Sequence, residues 1–340
     1  MKTFITVLLL ALILSAQSLF AQKRADKVLF SDTSVINASL SMNLKKIRAE
    51  SAKPGKIFPA MFSCKMGDSI NINDPVSLEV RGHFRRDYCY LPPLKMIFKD
   101  HPNTTFYKLK SLKLINSCMI GGQDEQNLLK EYMCYKIYNM MTDMSFKARL
   151  LNLTYVDSSG KKPLTRHAFL LEDVKQVAKR NNCDDWSDKK IQTEKTNRRQ
   201  MTMVAIFEYM IANTDWSVPA DHNIRLIHSK TDSLSRPYVV PYDFDFSGLV
   251  NTSYSAPDER LGISSVRERI YRGFPRTMDE LNDVLAVFKK QKDNVYAAIN
   301  NFNLFTPATK KEMTKYLDEF YNTINDESKV RYAFITNARQ

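Results

Sequence analysis

The chain has 340 residues, with 50 Lys and Arg against 37 Asp and Glu, a formal charge of +13 at pH 7. Five cysteines are too few for a disulfide-dense scaffold, and no C-x-x-C pair points to structural zinc or thioredoxin-type chemistry. The positive balance favours anionic partners, although a solvated basic exterior would give the same count. The densest basic run, residues 189–199, is interleaved with Gln, Thr and Asn instead of aromatics, which points away from nucleic acid.

The first 21 residues read as a secretory signal. Lys2 supplies the positive start, residues 4–14 an apolar run too short to span a bilayer, and residues 15–21 a small-residue exit with cleavage after Ala21. No Cys follows, so a lipid anchor is not expected. Nothing later approaches transmembrane length, and the expectation is an exported, soluble protein, periplasmic or extracellular. Loss of Lys2 takes the formal charge from +13 to +12.

Residues 33–116 read as strands and turns, with strands at 77–81, 94–98 and 112–115 and with Asp74-Pro75 and Pro92-Pro93 as breakers. If 94–98 and 111–116 pair antiparallel, Cys89 and Cys118 end at the same edge and can bridge. Residues 124–141 switch to helical period, with Asp124 or Gln123 at the start and Cys134 as a buried thiol. Strands follow at 148–156 and 166–171, then helices at 172–180 and 201–211. A hairpin is expected from 224–228 and 238–240, joined by a polar turn. Helices at 279–300 and 308–324 and a short one ending near Asn337 complete the chain. This predicts a β-rich part over 22–172, with one inserted helix, and a mainly helical part over 173–340.

The chemistry gathers around the hairpin. Asn213-Thr-Asp-Trp216 and His222-Asn223 precede its first strand, and Pro241-Tyr-Asp-Phe-Asp245 follows its second. The two ends of an antiparallel hairpin lie side by side, so Asp215 and Asn223 are delivered next to Asp243 and Asp245. An amide and carboxylates at one point are the parts of a magnesium–nucleotide site. The same residue types also end turns and cap helices. His222 reads as a structural hydrogen-bonder.

These stretches, with Val80-Arg-Gly-His83, Pro93-Leu-Lys95, the helix around Glu131 and Ala168-Phe-Leu-Leu-Glu-Asp173, resemble the spore-coat protein H (CotH) family of secreted, atypical kinase-like proteins. The resemblance covers roughly residues 75–250. It implies an α+β, bilobal, protein-kinase-like fold with a small β-rich lobe and a larger helical lobe. Lys95 would meet nucleotide phosphates, and Glu131, or Glu125 in its place, would hold that lysine. Glu172, in Leu171-Glu-Asp173, would mark the hinge facing the adenine. Asp215 would orient the attacking hydroxyl or take its proton. Asn223 and Asp243 would hold Mg or Mn, with Asp245 as a second ligand.

The pattern departs from better-known kinases. No G-x-G-x-x-G loop precedes Lys95, and Arg81 or Arg85 would serve the phosphates instead. Asp215 and Asn223 are eight positions apart, longer than in the H-R-D-x-x-x-x-N loop, and Asp221 competes for the Asp215 role. Lys95 would also suit a solvent-facing strand position, and Glu131 a solvated helix face. No G-x-S-x-G elbow, H-E-x-x-H pair or Walker loop offers another chemistry.

The expectation is an exported enzyme moving the γ-phosphoryl group of Mg-ATP to a protein hydroxyl. A catalytically silent module binding a protein or an anionic surface polymer is the alternative. Phosphoryl or AMP transfer to a non-protein acceptor is a third reading.

Overall fold

The computed structural model describes residues 29–339, apart from 32, 52, 54, 68, 69 and 83. The expected signal segment and His83 lie outside the described residues. The chain divides into two compact units. One holds the residues up to Ile120 with Ala148–Asp173, the other Gly121–Lys147 with Val174–Gln340. The helix expected within the β-rich part therefore belongs to the second unit.

The first unit is a closed seven-stranded barrel in the order β1-β2-β3-β4-β5-β7-β6. The strands are β1 (Ile36–Met42), β2 (Ile57–Met66), β3 (Ile70–Val80), β4 (Leu94–Ile97), β5 (Ser111–Asn116), β6 (Ala148–Asp157) and β7 (Leu164–Leu171). All neighbours run antiparallel except β1 and β6, which pair in parallel from Ile36↔Leu151 to Met42↔Asp157 and close the barrel. Two short helices, α1 (Leu44–Glu50) and α2 (Phe84–Tyr88), interrupt the strands.

Alternation builds the interior. Ile36, Ala38, Leu40 and Met42 of β1 are buried, and they share a core with Phe62, Leu78, Met96, Leu112, Leu153 and Leu170. Each such side chain taken fully out of water contributes about 1.5–3 kcal/mol.

Closure overturns the bilobal kinase-like expectation, because a seven-stranded mixed barrel is not the small β lobe of a kinase. The cause is non-local. β1 reads locally as one more strand, and its partner lies 115 residues on, as in Asn37↔Asn152.

Pro75 is not a breaker. β3 runs through it, pairing Met61 with Pro75 on the β2 side, while its pairing with β4 begins only at Ser77. The strand has one neighbour at that point, and a proline lacking its N–H is tolerated there. The bridge between Cys89 and Cys118 forms as expected, with 4.6 Å between Cα atoms. It joins the residues flanking β4 and β5, whose antiparallel pairing sets Leu94 opposite Leu114.

The second unit is helical around a small sheet. Its longer helices are α3 (Gly122–Met141), α5 (Arg198–Ile211), α6 (Met278–Asn300) and α7 (Pro307–Ile324), with the short α4 (Val174–Arg180) and α8 (Glu327–Arg331). The start of α3 falls at Gly121, with no side-chain cap, instead of at Gln123 or Asp124. Asn197 caps α5 by accepting from the Gln200 N–H, and Thr277 with Glu280 forms a capping box at α6. The sheet has the order β10-β9-β8, from β8 (Cys183–Asp185), β9 (Ile224–Ser229) and β10 (Tyr238–Pro241). The last two are the hairpin read from the sequence; β8 falls in a stretch with no strand signal. Cys134 is fully buried, and burial pushes its thiol pKa up.

Candidate functional site

Helix α5 aims the chain at the site. Its apolar face is buried through Met201, Val204, Phe207 and Ile211, and it stops at Ala212 in the left-handed region, φ 52°. The Asn213 N–H then donates to the Glu208 carbonyl at 2.8 Å. Backbone bonds from Gly248 to Ala212 and from Leu249 to Ile211, both 3.0 Å, tie this end to the segment after the hairpin. Gly248 has no alternative, since a Cβ there would stand 2.5 Å from the Val266 carbonyl.

From Asn213 the chain makes a closed turn. Ser217 and His222 exchange N–H···O bonds at 3.0 Å in both directions, and Asp221 and Asn223 sit at φ 50° and 53°. The turn carries His222 and Asn223 back to Asp215. His222 Nε2 lies 2.8 Å from Asp215 Oδ1. Asn223 Nδ2 donates to Asp215 Oδ2 at 3.0 Å and to its carbonyl at 2.7 Å. Both carboxylate oxygens are thus held, and each retains a lone pair for an incoming proton. The Asp215 amide N–H is in turn fixed by Asn213 Oδ1 at 3.1 Å.

The hairpin gathers its ends as the sequence implied. Tyr242 donates its N–H to the Asn223 carbonyl at 2.9 Å, which sets Asp243 beside the group. The Asp243 N–H bonds the Tyr135 hydroxyl of α3 at 2.9 Å, and its backbone is left-handed, φ 67°. Asp245 goes elsewhere. It is buried, and it accepts the Tyr254 hydroxyl at 2.8 Å. Asp221, the competitor for the Asp215 role, faces Arg225 at 3.2 Å.

The remaining predicted residues are divided between the units. In the barrel, Lys95 on β4 meets Glu79, its cross-strand partner on β3, at 3.5 Å. β4 is flanked by β3 and β5, so Lys95 is not on an edge strand. The Arg81 N–H bonds the Pro93 carbonyl at 3.0 Å, Arg85 donates to the Asn116 carbonyl at 2.6 Å, and Glu172 is buried just past β7. In the second unit, Glu131 is 2% exposed on α3, which excludes a solvated helix face, while Glu125 lies in the first turn of the same helix.

Asp215 and His222 stand on the wall of a cleft of about 840 Å³ in the second unit. Its other charged lining is Asp258, Arg260, Arg272 and Arg339. Arg272 braces the turn that carries Asp215: Nη1 donates to the Trp216 carbonyl at 3.0 Å and also to the Thr214 carbonyl, on either side of Asp215. Burial, followed by the charge of Arg339, lowers the Arg272 pKa. Arg260 pairs with Asp258 at 2.5 Å, and that contact holds the Asp258 carboxyl down at about 2.

Behind the turn, Glu208 is 1% exposed, and burial raises its pKa well above the usual 4.5, with Asp215 adding to the rise. Asn213 lies near enough to oppose that shift, yet neither Glu208 oxygen nor Asn213 Nδ2 completes a hydrogen bond of normal geometry among the described residues.

Sequence reasoning missed Arg272, Arg339 and Glu208. The spacing of Arg267, Arg269 and Arg272 is visible in the sequence, but no motif connects it to Asp215 across more than fifty residues.

Among the described residues no group of three His, Cys, Asp or Glu side chains is placed to hold a metal ion. Asn223 and Asp243 nonetheless offer hard oxygen donors. Mg²⁺ is commonly held by one or two such groups, completed by water and substrate phosphate. No family model matches the chain, and no curated protein matches it.

Proposed function

We propose that the protein is an exported phosphotransferase that moves the γ-phosphoryl group of ATP to a protein hydroxyl. The observation that carries this reading is the Asp215 carboxylate, held on one oxygen by His222 and on the other by Asn223 at the wall of an arginine-lined cleft. A carboxylate so fixed can align an acceptor hydroxyl. The acceptor oxygen attacks the γ-phosphorus, its proton passes to Asp215, and the bond to the bridging oxygen breaks. ADP leaves with that electron pair, and the phosphoester remains on the acceptor. Asn223 and Asp243 would hold Mg or Mn, which would neutralise phosphate charge; Asp245, buried and accepting the Tyr254 hydroxyl, is left out of that set. The motif resemblance to the spore-coat protein H family supports the same chemistry, and the apolar run at 4–14 supports export.

The test incubates residues 22–340 with γ-labelled ATP and Mg or Mn and a generic acidic protein, beside Asp215→Asn and Asp243→Asn. Label in the wild type that disappears in both variants supports the reading. Label absent everywhere, with no Mg-ATP-dependent melting shift, rejects it in favour of a silent module that binds an anionic protein or polymer. Three arginines in the cleft and the overall charge of +13 favour that second reading.

A further inference from the structure

We propose that Arg272 and Arg339 form an oxyanion subsite beside Asp215, recognising an acidic side chain near the hydroxyl in a peptide acceptor. The inference deepens the phosphotransferase reading and rests on it for the word acceptor. The binding it describes stands separately.

The charges in the cleft are unevenly matched. Of the three arginines lining it, Arg260 already has Asp258, with which it makes a close pair. Asp258 and then Asp215 attract Arg272, but these two carboxylates face three arginines in the lining. The two guanidinium groups stand close enough for Arg339 to lower the Arg272 pKa, so they repel each other within one concavity. An oxyanion placed between them relieves that repulsion and gains charge-assisted hydrogen bonds. Arg272 has committed Nη1 to the Thr214 and Trp216 carbonyls. The Nε and Nη2 of the same guanidinium form a forked pair of donors that suits a carboxylate. Arg339 is exposed, and it is held near the wall by its N–H, which donates to the Gly273 carbonyl at 2.9 Å.

The same lining separates a peptide from a sugar polymer. Saccharides commonly pack on an open aromatic face. Of the aromatic side chains that line this cleft, Trp216 and Tyr271 are only 3% and 4% exposed, and Phe246 is half-buried with its ring tilted against Tyr254. The remaining lining includes Ala220, Ala256, Pro257, Leu261 and Ile270, apolar groups of the size that accept short side chains. At about 840 Å³ the cleft admits several residues of an extended segment.

The experiment measures binding, without ATP, of two labelled peptides to residues 22–340 by fluorescence anisotropy. Both carry one serine, flanked in one peptide by glutamates and in the other by glutamines. The glutamate peptide should bind about tenfold more tightly. Arg339→Gln should remove most of that preference, and Arg272→Lys, which keeps the charge but not the fork, should weaken it. Arg331→Gln, which alters a surface arginine paired with Glu327, should leave it intact. Equal affinity for the two peptides, or a preference that survives Arg339→Gln, overturns the subsite. A second arm adds metal-free ATP. If ATP competes through Arg339 while the wild type does not favour the glutamate peptide, the arginines serve the nucleotide and the acceptor assignment is wrong. Because no phosphoryl transfer is read, failure of the subsite and failure of the phosphotransferase reading give different results.

Discussion

Two buried amides, Asn116 at the end of β5 and Asn213 just past α5, live in opposite circumstances. Both are 1% exposed. Asn116 accepts the Tyr155 hydroxyl at 2.5 Å and donates to the Pro92 carbonyl at 3.0 Å, so each end of its side chain is matched. Asn213 uses Oδ1 on the Asp215 N–H, while its Nδ2 and both oxygens of neighbouring Glu208 lack hydrogen bonds of normal geometry among the described residues. A buried polar group costs about 1–3 kcal/mol when unmatched. The barrel uses its amide to fix strands. The second unit accepts a cost behind a carboxylate held by two side chains, His222 and Asn223, and unmatched buried groups of this kind call for a functional account.

The largest expected effect lies at that carboxylate. Asp215→Asn should reduce label transfer by about 10²–10⁴-fold while leaving the melting temperature nearly unchanged, because the side chain is 38% exposed. Transfer that survives would move the chemistry away from the turn. In the barrel the largest stability effect should come from the disulfide. Replacing Cys89 and Cys118 together by Ser reopens a span of 29 residues and should cost about 3 kcal/mol, read by urea unfolding. Tyr155→Phe is the direct test of the matched amide. It leaves Asn116 Oδ1 buried without that donor and should cost about 1–3 kcal/mol by the same measurement.

Glu208→Gln should have the opposite sign and the smallest size. The folded-state pKa of Glu208 lies above 4.5, so below that pH both states are protonated and the wild type carries no penalty. As pH rises past 4.5 the unfolded chain releases its proton first, and the folded state is penalised progressively. The variant should therefore match the wild type near pH 4 and exceed it by about 1 kcal/mol near pH 8. A variant that is less stable at pH 8 would show that Glu208 is ionised and matched after all.

Local pattern was legible where local physics decides. The hairpin followed from alternation and a polar turn, and the helices expected at 279–300 and 308–324 from their period, to which the structure adds the caps Thr277 and Thr306. The meeting of Asp215, Asn223 and Asp243 follows from the hairpin geometry. Barrel closure did not, because the parallel match of β1 to β6 is satisfied only at long range. The start of α3 was misplaced because Gly121 ends the turn without a side-chain signal. Arg272 and Arg339 reach the cleft through packing of the chain after residue 256, where no periodicity connects them to the turn. Glu208 reads as one polar residue in an apolar helix, and its burial depends on elements that pack over it.

The left-handed residues around the cleft affect how this region can be dissected by mutagenesis. Asp221, Asn223, Asp243 and Asn251 all hold φ between 50° and 67°. Asn and Asp tolerate that region, whereas most L-residues lose about 1–2 kcal/mol there. An alanine at any of these positions would change the side chain and strain the main chain at once, so a lost activity would have two causes. Exchanges between Asn and Asp keep the main chain unburdened and report on side-chain charge and hydrogen bonding without added backbone strain. Ala212, already an alanine at φ 52°, is the natural calibrant, since Ala212→Gly removes the strain and touches no functional group.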